Sequence, residues 1–286
     1  MLISNNWQEY ECLSTGNGEK LERWNKYILN RPDPTIIWPK SNNKIWQNWD
    51  GYYHRSQSGG GIWEFRKKLP EYWTINYRDL TFKVSPTGFK HTGIFPEQAA
   101  NWDYIIDKIS NSNNKEFRVL NLFAYTGCAT MTASSAGAKE VVHVDSSKGI
   151  IEWAKVNMHL CHLENNTIRF IQEDVMKFLE REIRRGRTYH AIIMDPPSYG
   201  RGPNKEVWHL EEGIRELIEK TKELLDPNFS FMLINMYTTG LSPTSLNNIL
   251  SLLFDKEKVE TGEIGLPVTD NNLILPCGIY GRVERK

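Results

Sequence analysis

Several features that mark other protein classes are missing from this chain of 286 residues. Its four cysteines are scattered and none is spaced C-x-x-C, which argues against a disulfide framework and against a zinc site. No apolar run approaches the ~20 residues of a membrane helix, and no signal peptide is evident after Met1. We therefore expect a soluble, cytoplasmic protein that binds neither a metal nor a membrane.

A net charge is also missing, because 35 Lys and Arg residues balance 35 Asp and Glu residues. A neutral total neither requires nor excludes a nucleic-acid partner, since a local basic face would be enough. One basic cluster stands out in the sequence, formed by Arg181, Arg184, Arg185 and Arg187. We interpret it as the solvated end of a helix, with a basic contact surface as the alternative.

The first 85 residues differ from the rest in being rich in tryptophan. They hold seven of the ten tryptophans, namely Trp7, Trp24, Trp38, Trp46, Trp49, Trp63 and Trp73. Dense turn signals separate short aromatic and β-branched segments, such as 24–29, 61–65 and 73–77, which predicts a small β-rich domain over residues 1–85. The tryptophans could fill a core that lacks aliphatic residues, or they could stack on bases as a substrate-binding surface.

The most informative segment is Val119-Leu-Asn-Leu-Phe-Ala-Tyr-Thr-Gly127. Its apolar start predicts a strand buried on both faces, and the small residues of 128–136 predict a helix after the turn. Gly127 lies where the strand gives way to the helix, so the backbone can approach a ligand closely there. A second strand, 140–144, is followed by Asp145, whose carboxylate suits two ribose hydroxyls. The pattern predicts a nucleoside site at the carboxyl edge of a parallel sheet.

The turn between strand and helix also indicates which nucleoside binds. A dinucleotide site would normally show G-x-G-x-x-G to admit a pyrophosphate, whereas this turn has one glycine and two aromatic residues, Phe123 and Tyr125. That difference favours a nucleoside without phosphates, such as S-adenosylmethionine, over NAD or ATP. The segment resembles motif I of class I S-adenosylmethionine-dependent methyltransferases.

Strands and helices alternate from residue 117 onward, beginning with the two strands above. Further strands are predicted at 167–171, 190–194 and 229–235, and a terminal antiparallel pair at 257–262 and 272–283. Further helices are predicted at 99–109, 150–160, 175–183, 210–225 and 243–254. This alternation predicts an α/β fold with a doubly wound, Rossmann-like parallel sheet. With the terminal antiparallel pair it resembles the sheet of class I methyltransferases, and the resemblance implies a seven-stranded methyltransferase domain over residues 86–286.

Polar side chains follow consecutive strands of this sheet, in the place where open α/β sheets bind ligands. Asp145 is assigned to the ribose hydroxyls and Asp174 to the adenine amino group, with Glu173 as the competitor of Asp174. Asp195 follows the fourth strand and is expected to contact the cofactor as well as to act in catalysis. The other cofactor contacts expected near the first strand are Asn121, Phe123, Tyr125 and Gly127, with the turn lying against the methionine part.

The second specific motif is Asp195-Pro-Pro-Ser-Tyr199, which is similar to the [Asp/Asn/Ser]-Pro-Pro-aromatic motif of nucleobase methyltransferases. The prolines stiffen the loop and leave its carbonyls free, so Asp195 and the Pro196 carbonyl can accept from a base beside the reactive methyl. Tyr199 can stack on a flipped base. Ser198 stands where many amino-directed enzymes carry the aromatic residue, which leaves the target atom open. The alternative interpretation is a rigid turn after a buried strand.

The chain also resembles a bacterial family of large-subunit ribosomal RNA methyltransferases that includes cytosine carbon-5 and guanine nitrogen-7 enzymes. The resemblance rests on the two motifs above together with Lys90-His-Thr-Gly-Ile-Phe-Pro-Glu-Gln98, Asp145-Ser-Ser147 and Asp174-Val175. It extends to the β-rich unit that precedes the catalytic domain. It implies cofactor contacts from Phe95 and Gln98, RNA as the partner, and a role in ribosomal RNA processing.

The carbon-5 members of that family use a cysteine shortly after the fifth strand, because carbon-5 of cytosine reacts only after a thiolate has added to carbon-6. This chain reads Ile234-Asn-Met-Tyr-Thr-Thr-Gly240 there, and Cys128 suits packing better than catalysis. We therefore expect methylation of a base nitrogen, where catalysis is mostly alignment. The rival hypotheses are a small-molecule or protein methyltransferase on the same fold, and a non-catalytic scaffold that binds the cofactor.

The segment after the second motif, 201–209, combines a glycine, a proline and basic residues with Trp208 and His209. Such a segment could close over the substrate as a lid, or it could be a plain surface loop. The sequence leaves both interpretations open.

Overall fold

The computed structural model describes residues 1–41, 44–56, 60–88, 90–201, 207–237 and 240–286. The chain divides into two units. The amino-terminal unit comprises Met1–Ala100 and Ile264–Cys277, and the sheet unit comprises Asn101–Glu263 and Gly278–Lys286. The assignment of 1–85 and 86–286 as functional domains stays a prediction.

The amino-terminal unit is built from short strands, as its turn-rich sequence predicts. The strands are β1 (Leu2–Ile3), β2 (Tyr10–Gly16), β3 (Glu19–Trp24), β4 (Tyr27–Pro32), β5 (Gly51–Arg55), β6 (Gly61–Phe65), β7 (Trp73–Tyr77) and β8 (Leu80–Val84). A five-stranded sheet has the order β2-β3-β4-β5-β6, and β7 and β8 form a separate pair. The described residues of this unit also form 3-10 helices at Lys44–Gln47 and Pro96–Gln98.

Asparagines with a left-handed backbone conformation form the turns of the first hairpins. Asn17 and Gly18 join β2 to β3 with φ of 52° and 76°, the geometry that two-residue hairpin turns require. Asn25, with φ of 57°, turns the chain again directly after Trp24. The prediction of one segment over 24–29 is therefore wrong, because β3 ends at Trp24 and β4 begins at Tyr27.

The tryptophans of this unit serve mainly as packing. Trp24, Trp49 and Trp73 are buried, and the other four are half-buried. The indole N–H groups of three half-buried ones bond inside the unit. Trp7 donates to the Pro96 carbonyl at 2.8 Å, Trp63 to the Thr87 carbonyl at 2.8 Å and Trp38 to Thr15 Oγ1 at 3.0 Å. These contacts support the core interpretation over a row of free stacking surfaces.

The sheet unit carries the predicted doubly wound sheet. Its strands are β9 (Arg118–Leu122), β10 (Glu140–Asp145), β11 (Ile168–Gln172), β12 (Ala191–Met194) and β15 (Phe231–Met236), together with residues 258–263 of β16 (Lys258–Pro267) and 278–284 of β17 (Ile274–Glu284). Their order is β16-β17-β15-β12-β9-β10-β11, with parallel pairing from β15 to β11 and β17 antiparallel to β15. Within the amino-terminal unit, β1 pairs in parallel with Ile264 and Gly265 of β16.

Helices connect the strands. They are α1 (Ala99–Ser110), α2 (Cys128–Ser135), α3 (Lys148–Leu160), α4 (Val175–Arg184), α5 (Leu210–Lys222) and α6 (Pro243–Leu253). A short hairpin, β13 (Tyr199–Arg201) with β14 (Val207–His209), lies between β12 and α5. Within the ranges given above, no helix is long and apolar enough to cross a membrane.

Burial follows the sequence pattern with one exception on α3. All four residues of β12 and all six of β15 are buried, as expected of strands covered on both faces. On α3 the buried stripe is Ile151, Ala154 and the polar Asn157. The buried amide of Asn157 has a partner in the site described next.

Candidate functional site

The sheet topology brings the predicted strand ends to one edge. Leu122 of β9 is in register with Val144 of β10 on one side and with Met194 of β12 on the other. β11 continues the parallel order beyond β10. The segments that carry Asp145, Asp174 and Asp195 therefore leave the sheet at the same edge, where open α/β sheets bind ligands.

The turn 123–127 after β9 has an unusual backbone. Phe123, Tyr125 and Gly127 have φ of 52°, 50° and 83°. The left-handed conformation costs a side-chain-bearing residue roughly 1–2 kcal/mol, so the surroundings must hold the turn. Backbone bonds do part of this, from the Ala124 N–H to the Val144 carbonyl and from the Gly127 N–H to the Ala124 carbonyl, both 3.0 Å.

Gly127 is required by packing as well as by its φ. A Cβ at this position would lie 3.1 Å from Cβ of Ala154, 3.2 Å from Cε of Met131 and 3.3 Å from Cε1 of His143. The sequence suggested that this glycine opens space for a ligand. In the structure, the space left by the missing side chain is taken up by protein atoms from α2, α3 and β10.

Asp145 ties the turn to the second strand. Its Oδ2 accepts from the Tyr125 N–H at 3.0 Å and its Oδ1 from the Ser147 N–H at 2.9 Å. Burial raises the pKa of this carboxyl above its ordinary value, and the two N–H groups oppose that rise. Each carboxylate oxygen has a second acceptor site, which suits two neighbouring hydroxyls of a ribose.

Beneath the turn lies a buried polar chain that joins β9, α2 and β10. Asn121 Nδ2 donates to Oγ1 of Thr130 at 2.9 Å, and that hydroxyl is 3.0 Å from Nδ1 of His143. Burial lowers the pKa of His143 to about 3, so the ring is neutral at ordinary pH. The Asn121 amide is thus occupied inside the unit, and its expected contact with the cofactor stays a prediction.

Asn157 of α3 is a site residue that sequence reasoning missed. Its side chain is fully buried, and Nδ2 donates to the Thr126 carbonyl at 2.9 Å, which fixes the turn from the helix side. The signal in the sequence was a polar residue three positions after Ala154, on the apolar face of a predicted helix. A buried amide in that position needs a partner, and here the partner is the turn.

The two acidic residues after β11 have different surroundings. Asp174 is exposed, precedes α4 as its N-cap, and accepts from the Lys177 N–H at 3.1 Å through Oδ1. Glu173 forms an ion pair with Arg181. The assignment of Asp174 to the adenine amino group, with Glu173 as its competitor, stays a prediction.

The Asp195 loop, residues 195–199, follows β12. Asp195 is half-buried, Pro196 is buried and Tyr199 is 47 % exposed. The expectation that the loop carbonyls are free needs correction. The Pro197 carbonyl accepts from the Trp208 indole at 2.7 Å, and the Ser198 carbonyl accepts from the Leu210 N–H at 3.1 Å.

The segment 201–209, for which the sequence suggests a lid or a surface loop, is described only at its two ends. Gly202, Pro203, Asn204, Lys205 and Glu206 lie outside the described residues, so the lid hypothesis stays a prediction. The flanking residues form the β13–β14 hairpin, in which Tyr199 is opposite His209.

Two predicted cofactor residues belong to the amino-terminal unit. Phe95 is half-buried, precedes the 3-10 helix Pro96–Gln98, and has its ring centroid 5.3 Å from that of His91. Gln98 is buried. The Pro96 carbonyl accepts from Ser4 Oγ at 2.9 Å, which anchors this segment inside its own unit. The roles of Phe95 and Gln98 in cofactor binding stay predictions.

Two further sequence interpretations gain support. In the arginine cluster, Arg185 pairs with Glu182 at 3.1 Å and Arg187 with Glu140 at 2.6 Å, as expected for a solvated helix end. Cys128 is buried, and burial raises the pKa of its thiol to about 12. That thiol is therefore uncharged at neutral pH, which fits packing and not nucleophilic attack.

Comparisons with known proteins agree with this geometry. Residues 51–247 match the model of a family described as S-adenosylmethionine-dependent methyltransferase. The crystal structure of a SAM-dependent methyltransferase from Agrobacterium tumefaciens is 34 % identical, covers 100 % of this chain and 93 % of its own, and superposes with a TM-score of 0.94.

Curated relatives carry a more specific name over a shorter stretch. Ribosomal RNA large subunit methyltransferase K/L of Shewanella frigidimarina (strain NCIMB 400) is 33 % identical over 155 residues, and that of Pseudoalteromonas translucida (strain TAC 125) is 32 % identical over 155 residues. Each match covers 54 % of this chain and 21 % of the relative, so the chain spans about a fifth of the length of these proteins.

The residues at the sheet edge fit the cofactor of that family. A carboxylate that keeps two acceptor sites, a second exposed carboxylate and a turn with a single glycine suit an adenosine without phosphates. The family match spans more than half of the chain, and the similarity to the Agrobacterium enzyme runs through all of it. The chain belongs to the family of S-adenosylmethionine-dependent methyltransferases.

Proposed function

We propose that this protein transfers the methyl group of S-adenosylmethionine to a base nitrogen of ribosomal RNA. The observation that carries the proposal is the Asp195 loop, which places a carboxylate and an exposed aromatic ring at the carboxyl end of β12, next to the strand that precedes the turn 123–127. A loop of this composition suits a flat, hydrogen-bonding substrate such as a nucleobase. The names of the curated relatives support RNA as that substrate.

In this proposal, residues at different strand ends contact different parts of the cofactor. The Asp145 carboxylate accepts the ribose hydroxyls, and Asp174 accepts the adenine amino group. The turn with Phe123, Tyr125 and Gly127 lies against the methionine part. By resemblance alone, Phe95, Gln98 and Asn121 add further contacts. The bound cofactor supplies a methyl group activated by a sulfonium.

The residues of the Asp195 loop then hold the base so that its nitrogen is aligned with the methyl group of the cofactor. Asp195 and the Pro196 carbonyl accept hydrogen bonds from the base, and Tyr199 stacks on its face. Where the attacking nitrogen carries a proton, the Asp195 carboxylate is the acceptor nearest in the motif. No thiolate is needed for this reaction, which agrees with the burial of Cys128 and with the absence of a cysteine in 234–240.

Two alternatives differ from this proposal in what they predict for RNA binding and for the variant Asp195→Ala. A small-molecule or protein methyltransferase would use the same loop but would bind RNA no better than any neutral protein does. A scaffold that binds S-adenosylmethionine without transferring its methyl would keep its cellular role after Asp195→Ala. An enzyme would lose turnover while it keeps its fold. The proposed substrate also places the protein in the cytoplasm, with ribosomal RNA or its precursor as the partner.

The test is methyl transfer to purified large-subunit ribosomal RNA that lacks the modification. The protein is incubated with S-adenosylmethionine labelled in the methyl group, and the RNA is digested to nucleosides and analysed by mass spectrometry. We expect the label on a base nitrogen, lost with Asp195→Ala. Label on carbon-5 of cytosine, or label only on protein or small molecules, would contradict the proposal.

A further inference from the structure

The β13–β14 hairpin is bonded back onto the Asp195 loop that precedes it. Tyr199 is opposite His209 and Gly200 is opposite Trp208 in the antiparallel ladder. The rings of Tyr199 and His209 meet edge to face, with centroids 5.4 Å apart and planes at 69°. The ring proposed to contact the base is therefore part of a paired element.

Trp208 and Leu210 occupy two successive carbonyls of that loop. The indole N–H of Trp208 donates to Pro197 at 2.7 Å, and the main-chain N–H of Leu210 donates to Ser198 at 3.1 Å. Because a proline has no N–H, positions 196 and 197 cannot donate to any acceptor themselves. The two bonds to the Pro197 and Ser198 carbonyls therefore help to fix the main chain of the loop.

Gly213 in the first turn of α5 makes room for the indole. A Cβ at this position would lie 2.2 Å from Cζ3 of Trp208, 2.6 Å from Cη2 and 2.8 Å from Cε3. The outer ring of the indole thus rests directly on the helix backbone. The helix is itself fixed, because Leu210, Ile214 and Leu217 are fully or almost fully buried.

We infer that Trp208, seated on Gly213, is a positioning residue for the substrate step: it holds the Asp195 loop in the geometry in which Asp195 and the Pro196 carbonyl meet the base. This inference rests on the proposed function. Trp208 acts through the Pro197 carbonyl rather than on reacting atoms. Its loss should therefore lower kcat far more than it weakens cofactor binding, because most of the expected cofactor contacts lie outside the Asp195 loop and the turn 123–127 is fixed by other residues.

The first variant is Trp208→Phe, which keeps an aromatic ring but removes the indole N–H and the outer ring. We expect kcat for RNA methylation to fall about tenfold, the size of one lost hydrogen bond to the loop. The Kd for S-adenosylmethionine and the KM for RNA should stay within about twofold of wild type, since the substitution removes no direct contact of the protein with the cofactor or with the RNA. Trp38→Phe is the matched control, because it removes an indole bond of 3.0 Å to Thr15 in the amino-terminal unit.

The second variant is Gly213→Ala, which displaces the indole while its N–H remains present. It should reproduce the fall in kcat. In the Trp208→Phe background the same alanine should add little, because phenylalanine lacks the outer-ring atoms that the new Cβ would meet. This dependence of one substitution on the other is expected of residues that share a contact. Gly149→Ala on α3 is the control, since a Cβ there has open space.

The outcomes separate this inference from the proposed function. Wild-type turnover in Trp208→Phe and Gly213→Ala would overturn the inference, and so would equal losses of kcat and cofactor affinity. If wild type itself methylates no RNA, the proposed function fails, and hydrogen exchange then decides the inference. Amides of residues 198–200 should exchange faster in Trp208→Phe than in wild type, and unchanged exchange would refute the positioning role.

Discussion

The two loops at the carboxyl edge of the sheet unit are held in different ways. The turn 123–127 is fixed by the core of the unit, through Val144, Asp145 and Asn157, at the cost of two side-chain-bearing residues in the left-handed region. The Asp195 loop is fixed by a segment that follows it, through Trp208 and Leu210.

The difference teaches which function can change independently of the fold. Altering the turn 123–127 disturbs the packing between β9, β10 and α3, so cofactor binding and stability should change together. Altering the Asp195 loop affects only its bonds to the β13–β14 hairpin and the start of α5. Turnover should therefore change while the free energy of unfolding stays close to that of wild type. The following predictions test this contrast.

The largest effect is expected from Asp195→Ala, which acts on the Asp195 loop alone. Removal of a preorganised polar group from the reacting centre typically lowers kcat by about 10²–10³. The melting temperature should match that of wild type, because Asp195 is only half-buried. Single-turnover methylation and a thermal melt measure the two quantities. A variant that loses its fold, or that keeps full turnover, contradicts the contrast.

Gly127→Ala addresses the turn 123–127. Its Cβ would meet three neighbours at 3.1–3.3 Å, at a φ of 83°. We expect a loss of about 1–2 kcal/mol in the free energy of unfolding, accompanied by weaker cofactor binding. Urea titration and calorimetry on the same sample measure both. Gly149→Ala, in open space on α3, should be neutral or stabilising. A loss of affinity without loss of stability would show that the turn and the core are not coupled.

Asn157→Ala tests the turn 123–127 through a residue of α3 that is distant in sequence but bonds to the turn directly. It removes the bond to the Thr126 carbonyl and leaves that buried acceptor without a partner, which costs about 1–3 kcal/mol of stability. The Kd for S-adenosylmethionine should rise while kcat at saturating cofactor stays close to wild type. Asn166→Ala, which removes a bond of 3.0 Å from an exposed amide to Ser134, controls for the loss of a side-chain amide away from the turn.

The smallest effect concerns pH and the buried chain beneath the turn. His143 has a pKa near 3 in the folded protein against an ordinary value of 6.5. The unfolded chain therefore binds the proton more readily, and the stability linked to this ring is complete above pH 6.5 and is lost as the pH falls toward 3. His143→Gln should flatten, but not abolish, this dependence, because burial lowers the pKa of His190 in the same unit as well. Exposed His159→Gln is the control, and an unchanged pH profile in His143→Gln would contradict the assignment.

The fold could be predicted largely from local patterns. Strands covered on both faces, such as β12, and the alternation with helices appear directly in the sequence, and the predicted doubly wound sheet is confirmed. The error at 24–29 arose because Asn25 adopts a left-handed turn inside what looked like a continuous aromatic segment. A propensity for strand does not reveal a two-residue turn unless the asparagine is weighed as a turn former.

The shared edge of the strand ends was predictable from the sequence, but the hydrogen bonds at that edge were not. The order of carboxylates on consecutive strands identified the edge, because parallel strands present their ends together. The bonds of Asn157 and Trp208 to the two loops depend on residues distant in sequence that the fold brings together. The role of Gly127 as packing space, rather than ligand space, also required the positions of Ala154 and Met131.

The most direct test of the whole account is calorimetric binding of S-adenosylmethionine to wild type and to Asp145→Ala. Asp145 accepts from Tyr125 and Ser147 and is proposed to take both ribose hydroxyls, so its loss removes bonds to a charged group of about 1.5–3 kcal/mol each. We predict binding by wild type that is weakened at least tenfold in the variant, with the fold retained by circular dichroism. Equal binding by the two proteins, or no binding by folded wild type, would contradict the central claim.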